Sequence, residues 1–97
     1  MIVAFADSGT EDVFNRTPSL AARRVCPMPC WPAARRKLDQ LNAAVSLGSL
    51  RFPPGNRLEA LRGDRSGWYS IRVNDQWRVC FRWTVLGPAD VAVVDYH

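Results

Sequence analysis

The stretch that most constrains the fold is a strand-forming segment between residues 68 and 83, in which apolar and basic side chains alternate. Alternate residues of a strand point to opposite faces of a sheet. One face of the first arm contains Tyr69, Ile71 and Val73, and the matching face of the second arm contains Trp77, Val79, Phe81 and Trp83. The opposite face carries Arg72, Arg78 and Arg82. The segment therefore predicts a hairpin with one apolar face and one basic face.

The length of the hairpin loop follows from the need to pair apolar residues with each other. A two-residue turn at residues 74–75 would pair Ile71 with Arg78 and bring charge into the core. A three-residue loop, or a five-residue loop of the same parity, pairs Ile71 with Val79 and sets Arg72 opposite Arg78. Like charges placed opposite each other destabilise a sheet by up to about 1 kcal/mol. An anion bound between the two arginines would offset that cost.

The arginine content of this region favours phosphate as a ligand. The net charge is +4, and all but one of the 13 basic residues are arginine. Arginine presents a planar fork that matches phosphate oxygens. The predicted RNA- or phosphate-binding residues are Arg57, Arg62, Arg65, Arg72 and Arg82, together with Arg78. The competing interpretation is that the arginines only pair with neighbouring acids, which are Glu59, Asp64, Asp75 and Asp90.

The rest of the chain predicts an α+β fold in a single domain, residues 1–97. Residues 2–6 are β-branched and aromatic and predict a strand. A short helix follows from Ser8 or Thr10, residues 19–30 are ambiguous, and a longer helix runs from Pro32 to about Ser46. Its apolar stripe is Ala34, Leu38, Leu41 and Val45. Further strands are predicted at about 57–61, 68–73, 77–83 and 90–96. We expect helices on one face of a largely antiparallel, twisted sheet of about five strands.

The cysteines and the N-terminus indicate in which cellular compartment the protein is expected. Cys26, Cys30 and Cys80 are an odd number, and no further Cys or His pair completes a tetrahedral zinc set. We interpret them as free thiols packed as small apolar residues, which fits a reducing cytoplasm. The N-terminus has no basic leader, and its apolar run is too short for export or membrane spanning. A cytoplasmic protein without a membrane partner is expected.

The last three residues, Asp95, Tyr96 and His97, follow the final strand and add proton-transfer groups to the basic face. RNA cleavage requires a base for the 2′-hydroxyl, cations for the phosphorane charge and an acid for the leaving oxygen. His97 is the one histidine of the sequence, and one group cannot be base and acid in the same instant. Glu59, Asp95 and Tyr96 are the candidates for the second role. The sequence shows no carboxylate cluster, so we expect chemistry without a metal or other cofactor.

These residues together resemble the HigB branch of the RelE/ParE superfamily, toxins of bacterial type II toxin–antitoxin modules. The similar segments are Met-Ile-x-x-Phe-x-Asp-x-Gly-Thr-Glu-x-x-Phe (residues 1–14), Leu-Arg-Gly-Asp-Arg-x-Gly-Trp-Tyr-Ser-Ile-Arg (61–72), Gln-Trp-Arg-Val-Cys-Phe (76–81) and the terminal Asp-Tyr-His. The resemblance implies a ribosome-dependent mRNA endonuclease that inhibits translation. It also implies neutralisation by a helix-turn-helix antitoxin of the HigA type.

The resemblance also implies roles for individual residues. Terminal active-site residues of HigB toxins match Asp95, Tyr96 and His97. An arginine after tryptophan in the third strand of the sheet matches Arg78, and Arg62 stands at a lysine position. Glu59 stands where some of these toxins have a histidine. His97 then carries more of the proton transfer, or Glu59 itself acts as the base.

Two other functions remain open at this point. The ParE branch shares the fold but is associated with DNA gyrase, and a toxin of that kind would not cut RNA. The other alternative is a non-toxic binding module that has lost its activity because Glu59 stands in place of an active-site histidine.

Overall fold

The computed structural model describes residues 1–96 and places helices against one antiparallel sheet. The helices are α1 (Ser8–Phe14), α2 (Leu20–Val25) and α3 (Trp31–Ala43), with 3₁₀ turns at Met28–Cys30, Leu47–Arg51 and Pro54–Asn56. The strands are β1 (Glu59–Ala60), β2 (Trp68–Arg72), β3 (Trp77–Thr84) and β4 (Gly87–Asp95). Their order in the sheet is β1-β2-β3-β4, and each adjacent pair is antiparallel. The α+β prediction is confirmed, with four strands in place of about five.

The missing strand is the one predicted at residues 2–6. This segment runs beside β4 but forms only one bridge, between Phe5 and Val91 in parallel orientation. Three backbone hydrogen bonds still join the segment to β4: Val3 N donates to the Pro88 carbonyl at 2.8 Å, Val91 N to the Ala4 carbonyl at 3.2 Å, and Ala6 N to the Val91 carbonyl at 2.9 Å. The backbone N–H of Ile2 donates to the side chain of Asn42 on α3 at 2.9 Å.

Helix α1 begins at Ser8, one of the two predicted start residues. Asp7, not Ser8, is the N-cap, and its carboxylate accepts from Thr10 N at 2.6 Å. The buried Thr10 hydroxyl in turn accepts from Val93 N at 3.1 Å. This bond ties the first turn of α1 to the centre of β4.

Helix α3 supplies much of the core. Ala34, Leu38 and Leu41 are fully buried, as the predicted stripe requires. Val45 is 92% exposed, so its assignment to the stripe was wrong. The helix ends at Ala43, and the extended backbone that follows takes Val45 out of the helical period.

The hairpin of β2 and β3 has the register that the apolar face demands. Ile71 lies opposite Val79, and Arg72 lies opposite Arg78. The side-chain oxygen of Asn74 accepts from Gln76 N and from Trp77 N, both at 2.9 Å. Asn74 thereby closes the longer loop and satisfies two of its backbone donors. The helices cover the apolar face of the sheet. The opposite, basic face, which carries Arg72, Arg78 and Arg82 and is called the arginine face below, is left for a ligand.

Strand β1 is shorter than the predicted strand at 57–61. Arg57 ends the 3₁₀ turn in a left-handed conformation, with φ 45°. The buried Asn56 side chain holds this turn, because its amide donates to the Leu50 carbonyl at 3.1 Å and to the Phe52 carbonyl at 3.2 Å. Arg57 therefore lies outside the sheet, although its carbonyl points into the arginine face. Within residues 1–96, no helix is both long and apolar enough to cross a membrane.

Candidate active site

The centre of the arginine face is Arg78, which is only 6% exposed. Its Nε donates to Ser70 Oγ at 2.9 Å. Its Nη2 donates to the Arg57 carbonyl at 2.6 Å and to the Ser70 carbonyl at 3.3 Å. No carboxylate among residues 1–96 forms a salt bridge with Arg78. A buried positive charge is thus held by neutral acceptors. Among residues 1–96 no partner of Nη1 is found, so this nitrogen can donate to a ligand.

Tyr96 covers this guanidinium from the C-terminal side. The Arg78 guanidinium carbon lies 5.3 Å from the centroid of the Tyr96 ring. Tyr96 is 48% exposed, so part of the residue is open to solvent or to a ligand.

Gln76, in the hairpin loop, holds the last described residues in place. Its backbone carbonyl accepts from Tyr96 N at 2.7 Å, and its side-chain Nε2 donates to Asp95 Oδ2 at 3.0 Å. Asp95 lies opposite Trp77 at the end of β4. The loop of the hairpin and the C-terminal segment therefore form one connected unit beside Arg78. His97, the predicted proton-transfer group, lies outside the described residues.

Glu59 lies on the same face at the other edge of the sheet. It is opposite Ser70, whose hydroxyl and carbonyl both bind Arg78. Its side chain is exposed, and no salt bridge to it is found among the described residues. Glu59 therefore lies close to the Arg78 centre, and its side chain is open to a ligand.

The other five arginines fall into two groups. Arg72 pairs with Asp75, and Arg82 pairs with Asp90 at 3.1 Å, two of the acids that the competing interpretation names. Arg57, Arg62 and Arg65 form no salt bridge with described residues and have exposed side chains. The two arginines on the strands are thus paired with acids, whereas the three on the segments flanking β1 have no salt-bridge partner among the described residues.

A cleft of about 380 Å³ opens beside Tyr96 on the same face; we call it the Trp68–Tyr96 cleft. It is lined by Ala6, Arg65, Trp68, Cys80, Asp90, Ala92, Val94, Asp95 and Tyr96. The guanidinium carbon of Arg65 lies 4.9 Å from the Trp68 ring centroid. Two aromatic side chains, one stacked arginine and two carboxylates therefore surround a floor of small apolar residues.

The pKa of Cys80, on the cleft floor, reflects the burial and the charges around the cleft. Burial raises the pKa of its thiol above the ordinary value of 9.0, and the positive charges of Arg65 and Arg78 act in the opposite direction. The thiol consequently stays protonated near neutral pH, and we expect it to be a poor nucleophile. The two arginines create a positive potential at the cleft that an anionic ligand would experience.

Three residues of this site were not identified as functional from the sequence. Ser70 anchors Arg78, Gln76 holds the C-terminal segment, and Trp68 forms a wall of the cleft. Strand alternation already placed Trp68 and Ser70 on the arginine face. A serine between a tryptophan and an arginine on such a face is the signal that points to a buried polar anchor.

Comparison with known proteins defines the class to which this site belongs. Residues 4–97 match the HigB-like toxin family, described as RelE-like toxins of the type II toxin–antitoxin system HigB. The chain therefore belongs to this family, and the resemblance seen in the sequence is confirmed. A toxin of a type II module has an antitoxin partner.

Two relatives give the extent of the similarity. The chain is 50% identical over 97 residues to Toxin HigB-1 of Vibrio cholerae serotype O1, an alignment that covers 100% of this chain and 98% of that protein. It is 39% identical over 57 residues to an uncharacterized protein of Haemophilus influenzae, covering 59% of this chain and 56% of that protein.

Proposed function

We propose that this toxin is an mRNA endoribonuclease that acts on the ribosome, in the cytoplasm, without a metal ion. The observation that carries the proposal is the buried Arg78, held by neutral acceptors beneath the Tyr96 ring and without a described carboxylate partner. Such a cation is preorganised for a charge that the protein itself does not supply. A phosphate in the act of cleavage is a charge of that kind.

The proposed reaction is attack by the 2′-hydroxyl on the adjacent phosphorus. A base removes the 2′-hydroxyl proton, the 2′-oxygen bonds to phosphorus, and the bond from phosphorus to the 5′-oxygen breaks. An acid protonates the leaving 5′-oxygen. The products are a 2′,3′-cyclic phosphate and a 5′-hydroxyl. Arg78 stabilises the extra negative charge of the phosphorane through Nη1, because its other donors already have partners.

The proton-transfer roles are assigned to groups around Arg78. His97 and Glu59 are the candidate bases, and Tyr96 is the candidate acid, since its ring lies on Arg78 and the residue is partly exposed. Asp95 is a positioning residue, linked to the hairpin loop through Gln76. The position of Glu59 opposite Ser70 supports a role close to the scissile phosphate.

The remaining arginines are proposed to hold the flanking phosphates. Arg57, Arg62 and Arg65 have exposed side chains without described acidic partners. They can therefore bind RNA phosphates without first breaking a salt bridge. Arg72 and Arg82 must first exchange Asp75 and Asp90 for phosphate. We further propose that the antitoxin is a helix-turn-helix protein of the HigA type.

Induction in cells without the antitoxin, followed by mapping of new mRNA 5′ ends, tests the proposal. We expect cuts linked to codons that disappear in Arg78→Ala and His97→Ala and persist in Arg16→Ala. Arg16 is a suitable control because it forms an exposed pair with Asp39 and is not part of the proposed site. Growth arrest with intact mRNA and damaged DNA would contradict the proposal and favour gyrase, and no phenotype would favour a degenerate module.

The cleavage chemistry has a separate test on purified ribosomes. A programmed mRNA with a 2′-deoxy nucleotide at the cut position should resist cleavage, and the all-ribose message should yield a 5′-hydroxyl end. Cleavage of the 2′-deoxy message, or a 5′-phosphate product, would indicate attack by water and contradict the proposed reaction.

A further inference from the structure

We propose that the Trp68–Tyr96 cleft binds one nucleobase of the mRNA and prefers a base with an exocyclic amino group. The inference rests on the proposed function and extends it from phosphate binding to base selection. It adds Trp68 and Arg65 as residues that stack on the base and Asp90 as the group that selects it.

The walls of the cleft are suited to a flat aromatic ligand. Trp68 and Tyr96 both line it, and the Arg65 guanidinium lies over the indole at 4.9 Å from the ring centroid. Bases of single-stranded RNA stack on aromatic rings and on arginine planes. The volume of about 380 Å³ is large enough to admit one base.

The floor of the cleft is apolar and shallow. Cys80 and Ala92 lie directly opposite each other, and Val94 lies opposite Arg78 one step further along the sheet. Cys80 and Ser70 are also cross-strand partners, and Ser70 anchors Arg78. The floor is therefore continuous with the Arg78 centre. Residues two apart on a strand are separated by roughly 7 Å, so a nucleotide with its phosphate at Arg78 can place a base in the cleft.

The polar groups at the cleft decide which base fits. Asp90 lines it, and an ionised carboxylate only accepts hydrogen bonds. Arg82 Nε donates to one oxygen of Asp90, Oδ2, at 3.1 Å. A carboxylate accepts from the amino group of cytosine but meets a carbonyl oxygen at the same position in uracil. The cleft should therefore favour cytosine over uracil, two bases of the same size.

Nuclear magnetic resonance on the isolated protein tests binding without ribosome or cleavage. The four tryptophans each give one indole N–H signal, and Trp68→Phe identifies the signal of Trp68. Cytidine monophosphate should shift this signal, uridine monophosphate should shift it less, and ribose 5-phosphate should leave it in place. Trp83, on the helix-facing side of the sheet, is the internal control. A Trp68 signal that does not move, or that moves as far with ribose 5-phosphate, overturns the proposal.

Cleavage on ribosomes gives the second test. Removal of one stacking partner weakens base binding by about 5- to 150-fold. In Trp68→Ala the base is then no longer held against the Asp90 carboxylate, so the preference between cytosine and uracil at the affected position should be lost. Trp68→Phe should retain the preference, and Phe52→Ala, a change of an exposed aromatic residue outside the cleft, should behave as wild type. An unchanged preference in Trp68→Ala overturns the cleft proposal and leaves the nuclease standing. Intact mRNA with wild-type toxin overturns the nuclease proposal instead.

Discussion

The guanidinium carbon of Arg78 lies 5.3 Å from the centroid of the Tyr96 ring, which joins a cation in the middle of the sheet to the end of the chain. Tyr96 can contribute in two ways, through its ring as a cover for the cation and through its hydroxyl as an acid. The two contributions are separable, because phenylalanine preserves the ring and removes only the hydroxyl.

Tyr96→Phe should therefore leave stability almost unchanged and lower the cleavage rate by about 10²- to 10⁴-fold, the usual contribution of a general acid. Tyr96→Ala should also lose about 0.5–1 kcal/mol of cation–π stabilisation. Urea unfolding and single-turnover cleavage on ribosomes measure the two effects. A Tyr96→Phe variant with the wild-type rate would show that the hydroxyl does not donate the proton.

Arg78→Ala should damage both stability and activity, because it leaves the Ser70 and Arg57 carbonyls without their donor. The unpaired groups should cost about 1–3 kcal/mol in the free energy of unfolding. Arg72→Ala, which breaks the pair with the exposed Asp75, should cost no more than about 1 kcal/mol. Circular dichroism during urea unfolding checks both values, and equal losses in the two variants would argue against the anchoring role of Arg78.

Arg78→Lys separates charge from geometry in the same site. Lysine keeps the positive charge but lacks the fork that reaches Ser70 and Arg57 together. We expect a folded protein whose cleavage rate falls by at least about tenfold, since about 1.4 kcal/mol or more of transition-state stabilisation is lost with the oriented donors. Cleavage assays in which the variant and the wild type contain the same concentration of folded protein measure this loss. Full activity of the lysine variant would mean that only the net charge matters.

The register of the hairpin was predictable because the apolar residues allow only one parity of pairing. Ile71 must lie opposite Val79, and Arg72 then lies opposite Arg78. The ends of elements were not predictable in the same way. Val45 lies beyond the end of α3, and residues 2–6 form a single bridge with β4. Contacts between residues distant in sequence determine where each element ends.

The candidate site was predictable as a face but not as a set of contacts. Alternation assigned Arg78 to the arginine face, whereas its burial depends on the left-handed turn at Arg57 and on Tyr96 at the other end of the chain. The Trp68–Tyr96 cleft likewise requires Arg65 to fold back over Trp68. Such positions depend on the path of whole segments, and strand alternation carries no information about that path.

Cys26 should make stability depend on pH in the alkaline range. Burial, and then the neighbouring Cys30, raise the pKa of the Cys26 thiol from 9.0 to about 12. The unfolded chain therefore loses this proton before the folded protein does. The stabilising contribution is fully present below pH 9.0 and is lost as the pH rises through about 12. One proton contributes a slope of at most about 1.4 kcal/mol per pH unit.

The corresponding experiment compares wild type with Cys26→Ala in urea unfolding under reducing conditions, from neutral pH to about pH 10. The alanine variant should be less stable at neutral pH and should lose less stability above pH 9.0. Parallel curves would mean that the Cys26 thiol titrates alike in the folded and unfolded chains.

Glu59→His is the substitution that bears most directly on the chemistry. Glu59 lies opposite Ser70, beside the Arg78 centre, and its negative charge opposes a bound phosphate. Histidine removes that charge and adds a base whose unperturbed pKa lies near neutrality, so cleavage should rise by about tenfold or more. Glu59→Gln is the matched control, because it removes the charge without adding a base and should improve substrate binding while leaving the maximal rate unchanged. Single-turnover cleavage at saturating and subsaturating ribosome concentrations separates the two effects. A fall in the maximal rate of both variants would contradict the prediction and identify Glu59 as the base that takes the 2′-hydroxyl proton.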